Sequence, residues 1–186
     1  MRCCALLLMG LLLLGGCGLF EVRDSEPPTK PPLWNDIPTT WELCMQNLQY
    51  CYEDERNVVK YSGIFSPEYR FYFSAQDIND FGINLDWLRP QEQDMLLILH
   101  SQCDSLNLAL ELLPGQGDEI TSNLAKIYRK YTLDVYRNGN PFPTQHIGNL
   151  ELHFRKENGY LYVWKWYDYR SYTAPTWGKL KYDYAQ

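Results

Sequence analysis

The sequence predicts an α+β domain in which N-terminal helices pack on one face of a curved antiparallel sheet. Three observations predict it. Between Trp41 and Cys103 apolar residues recur at steps of three and four, the period of a half-buried helix. Beyond Asp104 the period falls to two, that of a strand covered on one face. Asn158-Gly159 separates two such runs, the composition of a tight hairpin turn. Helices first and strands afterwards is the order of segregated layers.

Thr39 and Glu42 have the spacing of a capping box, and Trp41, Cys44, Met45, Leu48, Cys51 and Tyr52 make one apolar stripe, so a helix begins there and ends in the polar run from Glu53 to Arg56. A short second helix carries Val58, Val59 and Tyr61, with Ile64 and Phe65 at its end, and Ser66-Pro67 stops it. Tyr69 to Phe73 reads as a strand, followed by a polar loop from Ser74 to Asn84. Asp77, Asp80 and Asp86 with Gly82 superficially suggest a calcium loop, but no glutamate closes it at EF-hand spacing. Pro90 suits the first turn of a third helix, where its missing N–H has no partner to lose; Met95, Leu96, Ile98 and Leu99 follow, to about Cys103.

Leu106, Leu108, Leu110 and Leu112 then alternate with Asn107, Ala109 and Glu111, and Pro114 to Gly117 is a turn. Ala125, Ile127, Tyr131, Leu133 and Val135 share a face of a long strand ending near Asn138-Gly139. The last two strands, about Ile147 to Lys156 and Tyr160 to Tyr169, form the hairpin across Glu157-Asn158-Gly159.

The first residues carry a separate message. Arg2, an apolar run from Ala5 to Leu14, and Leu14-Gly15-Gly16-Cys17 make a secretory signal. Leu14-Gly15-Gly16-Cys17 also resembles the lipobox of bacterial lipoproteins, which implies cleavage before Cys17 and palmitate-like lipid on its thiol. The competing reading is an uncleaved span, since Cys3 to Phe20 holds no charge; Gly10, Gly15, Gly16 and Gly18 argue against it, each weakening a helix by about 1 kcal/mol relative to alanine. Either way the folded part sits outside the cytoplasm. Several acyl chains, at about 0.8 kcal/mol per buried methylene, hold a protein on a membrane where one does not. The residue after Cys17 is Gly18 rather than the aspartate that resembles an inner-membrane retention signal, so an outer membrane is favoured if the cell has two.

The expected organisation is residues 1–16 as signal, 17–38 as lipid anchor and tether, and 39–186 as the domain. Pro27, Pro28, Pro31, Pro32 and Pro38 among polar residues favour an extended tether. Loss of Arg2 with the signal moves the formal charge from -6 to -7, and an acidic chain without a basic cluster excludes nucleic acid as a partner. Three cysteines remain in the domain. Cys44 and Cys51 are two helical turns apart, beyond disulfide reach, so any bridge uses Cys103; three small buried apolar side chains is the plainer reading.

Asn47-Leu48-Gln49-Tyr50-Cys51-Tyr52, Ile64-Phe65-Ser66-Pro67, Tyr69-Arg70-Phe71-Tyr72-Phe73, Trp164-Lys165-Trp166-Tyr167-Asp168 and Trp177-Gly178-Lys179-Leu180-Lys181 resemble segments of bacterial lipoproteins with a nuclear transport factor 2-like domain. The resemblance runs from about Thr39 to Tyr182. It implies the cone-shaped α+β fold and a cavity between helices and sheet. It implies no particular chemistry, because members include enzymes, binding modules and assembly proteins.

A site in such a cone would be lined by alternate strand residues. Tyr160, Tyr162, Trp164 and Trp166 are expected on one face of the last strand, as an apolar ligand pocket or an interface, and Leu161, Val163, Tyr167 and Tyr169 on the other. Plain sheet packing is the competing reading. Isomerases and dehydratases of the superfamily need a carboxylate base and a hydroxyl or acid beside it. The candidates are His100, His153 and Asp168, none in a catalytic motif. His100 also reads as a core or edge histidine, His153 as a solvated one beside Asn149, Glu151 and Arg155, and Asp168 as an ion-pair partner of Arg170 or Lys165. No zinc pattern, nucleophile elbow or phosphate or dinucleotide loop is present, so neither metal nor cofactor is expected. The leading expectation is a non-catalytic binding or interaction module at a membrane surface, taking a small apolar ligand or a protein partner. An enzyme of the isomerase, dehydratase or hydrolase kind and a scaffold forming a homodimer through its sheet are the alternatives.

Overall fold

Thr40 accepts a hydrogen bond from the Leu43 N–H and so starts helix α1, Trp41–Glu53, one residue later than the predicted cap. A single 3₁₀ turn leads into the short α2, Val58–Tyr61, and another into strand β1, Phe65–Tyr72. Ser66 and Pro67 therefore lie inside the strand and do not end a helix. The predicted loop after it is instead helix α3, Ala75–Phe81, capped by Ser74 and ended by Gly82 in the left-handed region. Strand β2, Trp87–Leu88, precedes helix α4, Arg89–Gln102, and strands β3, Ser105–Leu112, β4, Glu119–Ile120, β5, Leu124–Tyr136, β6, Thr144–Glu157, and β7, Tyr160–Arg170, complete the sheet. Trp177-Gly178-Lys179-Leu180-Lys181, one of the segments that carry the resemblance, forms helix α5, Trp177–Asp183.

The computed structural model describes residues 30–83 and 86–185. Cys17, the predicted signal and the first part of the predicted tether lie outside them. The chain divides into two units, Met1–Pro31 and Pro32–Gln186, and the elements above belong to the second. That border lies before Thr39: Asn35 exchanges hydrogen bonds with the Asn47 side chain, Asn57 donates to the Leu33 carbonyl and Leu161 donates to the Pro38 carbonyl. Residues 33–38 are thus docked rather than extended in solvent. No helix among the described residues is long and apolar enough to cross a membrane.

The sheet order is β2-β1-β7-β6-β5-β3, with β4 beside β5. All pairings are antiparallel except β1 with β7, which is parallel, so the sheet is mixed rather than wholly antiparallel. Asn158 and Gly159, both at positive φ, turn β6 into β7 as predicted. The helices cover one face. Against them lie Ile127, Tyr131 and Leu133 of β5, Leu150, Leu152 and Phe154 of β6, and Phe65, Tyr69 and Phe71 of β1. On β3 only Leu106 and Leu108 are fully covered, and Leu112 runs out into solvent.

One irregularity decides which β7 side chains face inward. Opposite β7, His153 pairs with Lys165 and the next residue, Phe154, pairs with Val163, so Trp164 is an extra residue. The bulge inverts the alternation. Val163, Trp166 and Asp168 are buried, while Trp164, Lys165, Tyr167 and Tyr169 sit on the outer side.

Candidate functional site

Asp168 is the one predicted catalytic candidate that the fold carries into the interior. It is 1 % exposed. The Tyr131 hydroxyl donates to its Oδ1 at 2.6 Å and the Gly178 N–H donates to its Oδ2 at 2.6 Å. Burial raises its pKa to about 6, against the lowering effect of those two donors, and the carboxylate of Asp77 adds to the rise. The expected ion pair with Arg170 or Lys165 does not form. Arg170, at the strand end, turns to Asp77 and Asp80 of α3, and the bulge puts Lys165 on the opposite face.

Gly148 and Gly178 make that arrangement fit. A Cβ at Gly148 would lie 2.4 Å from the Tyr131 hydroxyl oxygen, and one at Gly178 would lie 2.8 Å from Asp168 Oδ2. Tyr131 also accepts a hydrogen bond from the Trp177 N–H, so Asp168 and Tyr131 together hold the first turn of α5.

A second buried carboxylate lies outside the sequence candidates. Glu92 of α4 and Lys181 of α5 are both 0 % exposed, and the ammonium lies 2.5 Å from each Glu92 oxygen. The same carboxylate accepts from the Tyr61 and Tyr69 hydroxyls at 3.0 and 2.5 Å and from the Trp87 indole at 2.9 Å. Lys181 lies over the Trp166 and Phe71 rings, 4.0 and 4.5 Å from their centroids. Burial pulls its pKa down and Glu92 opposes the fall. The sequence held a signal: Glu92 stands on the stripe of Met95, Leu96 and Leu99, and Lys181 on the same helix face as Trp177.

The space between helices and sheet is therefore occupied by the chain itself. Trp177 packs edge-on against Tyr52, Tyr131 and Trp166, at centroid distances of 4.9, 5.2 and 4.6 Å, and its indole N–H donates to the Tyr52 hydroxyl. Leu180 and Lys181 are buried beside it. Trp166 belongs to this packing. It does not share a face with Tyr160, Tyr162 and Trp164, which corrects the predicted four-residue aromatic row; the bulge at Trp164 is the reason.

His100 is not in the cone. Its Nε2 meets the Cys51 carbonyl at 2.9 Å, a contact that joins α4 to α1. His153 lies on the outer face and pairs with Glu151 at 2.5 Å. Cys44, Cys51 and Cys103 are free thiols, and burial raises the first two to about 12. The third histidine, His146, is buried with Nδ1 against the Thr176 carbonyl at 3.0 Å, and burial lowers its pKa.

The outer face differs in character. Tyr72 stacks on Tyr167 with centroids 4.4 Å apart, and Tyr169 donates to Glu151. Where β1 and β7 part, a groove of about 630 Å³ opens between the Pro67-Glu68 segment, Trp164 and Lys165 of the bulge, and the start of α4 at Arg89. β1 advances five residues there while β7 advances two, from the pair Phe65 and Val163 to the pair Arg70 and Lys165.

No protein-family model and no curated protein matches the sequence. Solved structures do. A candidate aromatic ring hydroxylase from Novosphingobium aromaticivorans aligns over 78 % of this chain and 93 % of its own, with a TM-score of 0.57 and 7 % identity. A candidate scytalone dehydratase from the same species aligns over 74 % and 90 %, with a TM-score of 0.55 and 11 % identity. The fold is the nuclear transport factor 2-like cone. A candidate calcium/calmodulin-dependent protein kinase type II association domain from Thiobacillus denitrificans also matches, over 74 % of this chain and all of its own, with a TM-score of 0.55 and 7 % identity. At these identities the likeness is one of cone to cone, with α5 placed inside this one.

Proposed function

We propose that this protein is a lipid-anchored, non-catalytic binding module of a bacterial cell surface, held by Cys17 and presenting the outer face of its sheet. The observation that carries the reading is the filled interior. In a cone that acts on a substrate, a carboxylate and a hydroxyl must face an open cavity. Here Asp168 and Glu92 spend their acceptor capacity on Tyr131, Gly178, Tyr61, Tyr69, Trp87 and Lys181. Beside Trp164, Lys165 and Arg89 line the outer groove and form no ion pair among the described residues. Support for the anchor is the lipobox-like sequence at residues 14–17.

A second reading rests on one specific observation: Asp168, raised to about 6, sits beside a tyrosine hydroxyl, and one similar structure is a candidate dehydratase. It requires α5 to leave the cone. The experiment has two arms. Intact mass of protein from membranes of the native cells should show acyl chains on Cys17, and a bare thiol overturns the anchor. The purified full chain should leave enolisable ketones and hydroxylated aromatics unchanged; turnover that disappears in Asp168→Asn overturns the non-catalytic assignment.

A further inference from the structure

Two departures from regular strand geometry face each other across the β1–β7 junction, and together they build the groove. Pro67 lacks an N–H, so β1 makes no regular ladder between Phe65 and Arg70. The extra residue in β7 turns the Trp164 indole outward, where Lys165 lies 4.3 Å and Arg155 5.5 Å from its ring. Strand bulges commonly re-aim a side chain beside a site.

The charge of the groove is opposite to that of the chain. Its lining holds Arg70, Arg89 and Lys165 against Glu68 alone, on a protein of net charge -6. Glu68 is already paired with Arg155 at 3.0 Å. Arg70 meets Asp86 only at 3.6 Å, and Arg89 and Lys165 form no ion pair among the described residues. The flat surfaces are Trp164 and Pro67, Tyr72 being stacked on Tyr167. An open groove with planar rings on its walls and spaced cations suits a chain of rings bearing anions, whose faces stack while their charges meet guanidinium forks. Arg70 and Arg89 bring guanidinium forks to the groove, which can meet a planar carboxylate through two parallel N–H···O bonds.

We infer that the groove between Trp164, Arg70 and Arg89 binds a carboxylate-bearing saccharide chain. The inference rests on the binding-module reading above and gives that module a ligand class. A chain of uronic acids supplies both parts: a sugar face for Trp164, and a carboxylate on successive rings for Arg70, Arg89 and Lys165. An acidic peptide would supply the charges without the stacking faces.

The test uses the full chain in detergent, with tetragalacturonate, neutral galactotetraose and hexaglutamate as probes in titration calorimetry. Tetragalacturonate should bind at least tenfold more tightly than either of the others, and its affinity should fall with added salt. Trp164→Ala and Arg89→Glu should each weaken it tenfold or more at an unchanged melting temperature; Arg89→Glu, at a partly exposed position, serves if the tryptophan variant unfolds. Equal binding of the neutral oligomer, equal binding of hexaglutamate, unaffected variants or no binding each overturn the inference. Acylation of Cys17 and the absence of Asp168-dependent turnover are read separately, so failure here leaves the binding-module reading standing.

Discussion

Replacing Lys181 with methionine removes the cation from a carboxylate that stays buried. Lys181 and Glu92 are both 0 % exposed, so no solvent reaches the orphaned charge. Breaking a buried pair from one side costs about 3–5 kcal/mol. Against a total stability of about 5–15 kcal/mol this is a large share. At about 2–4 °C per kcal/mol for a domain of this size, the melting temperature should fall by about 6–20 °C. A simple buried pair is often neutral to double apolar replacement. Glu92 is not in a simple pair: Glu92→Met with Lys181→Met also strips the acceptor from Tyr61, Tyr69 and Trp87, at about 1–3 kcal/mol for each donor left unpaired. The double variant should therefore remain several kcal/mol below wild type. Urea unfolding followed by tryptophan fluorescence measures all three proteins. A Lys181→Met variant within 1 kcal/mol of wild type, or a double variant at wild-type stability, would refute the assignment of α5's hold to this carboxylate.

Other outcomes follow from the same interior. Burial raises the Asp168 pKa from 3.8 to about 6, so its contribution to stability is fully present below about pH 4 and is lost as pH rises through 6, a loss on the order of a few kcal/mol. Unfolding curves from pH 4 to 7 should lose that component in Asp168→Asn, and parallel curves for the two proteins would contradict it. Gly178→Ala forces a methyl against Asp168 and Phe73 and should cost about 1–3 kcal/mol, read from the urea midpoint. Gly148→Ala displaces the Tyr131 hydroxyl from Asp168 and Trp177 and should expose tryptophan to quenching by acrylamide. In native protein at pH 8, iodoacetamide should label Cys103 before Cys44 and Cys51, which burial holds at about 12; mass spectrometry of the peptides gives the order.

The long strands were legible because one face of each is aliphatic and the other polar: Ile127, Leu133 and Val135 on β5 leave little choice of register. The hairpin at Asn158-Gly159 was legible because few residue pairs tolerate two positive φ angles. On β7 the signal failed. Tyr, Trp and Lys each present an apolar body and a polar tip, so alternation among them cannot mark inside from outside, and the extra residue at Trp164 passed unseen. Helix α3 was missed because seven mostly polar residues carry no stripe; its Ser74 cap and Gly82 stop were the available evidence. Asp168 stands out in the sequence without its partners, since Tyr131 lies two strands away on β5 and Gly178 on α5, and only the tertiary fold brings them together. Glu92 and Lys181 are not legible as a pair, because each is a single charged residue on an otherwise apolar helix stripe and they stand 89 residues apart.

The parallel seam between β1 and β7 has a kinetic meaning. Phe65 meets Val163, a separation of 98 residues, whereas β5, β6 and β7 are joined by short turns. Closing so long an interval costs about 4 kcal/mol of chain entropy before any contact rewards it. The meander should accordingly assemble first, with β1 zipping on late, so that refolding runs slower than its hairpins alone would allow and the unzipped flank of β7 is where nascent molecules would stick to one another.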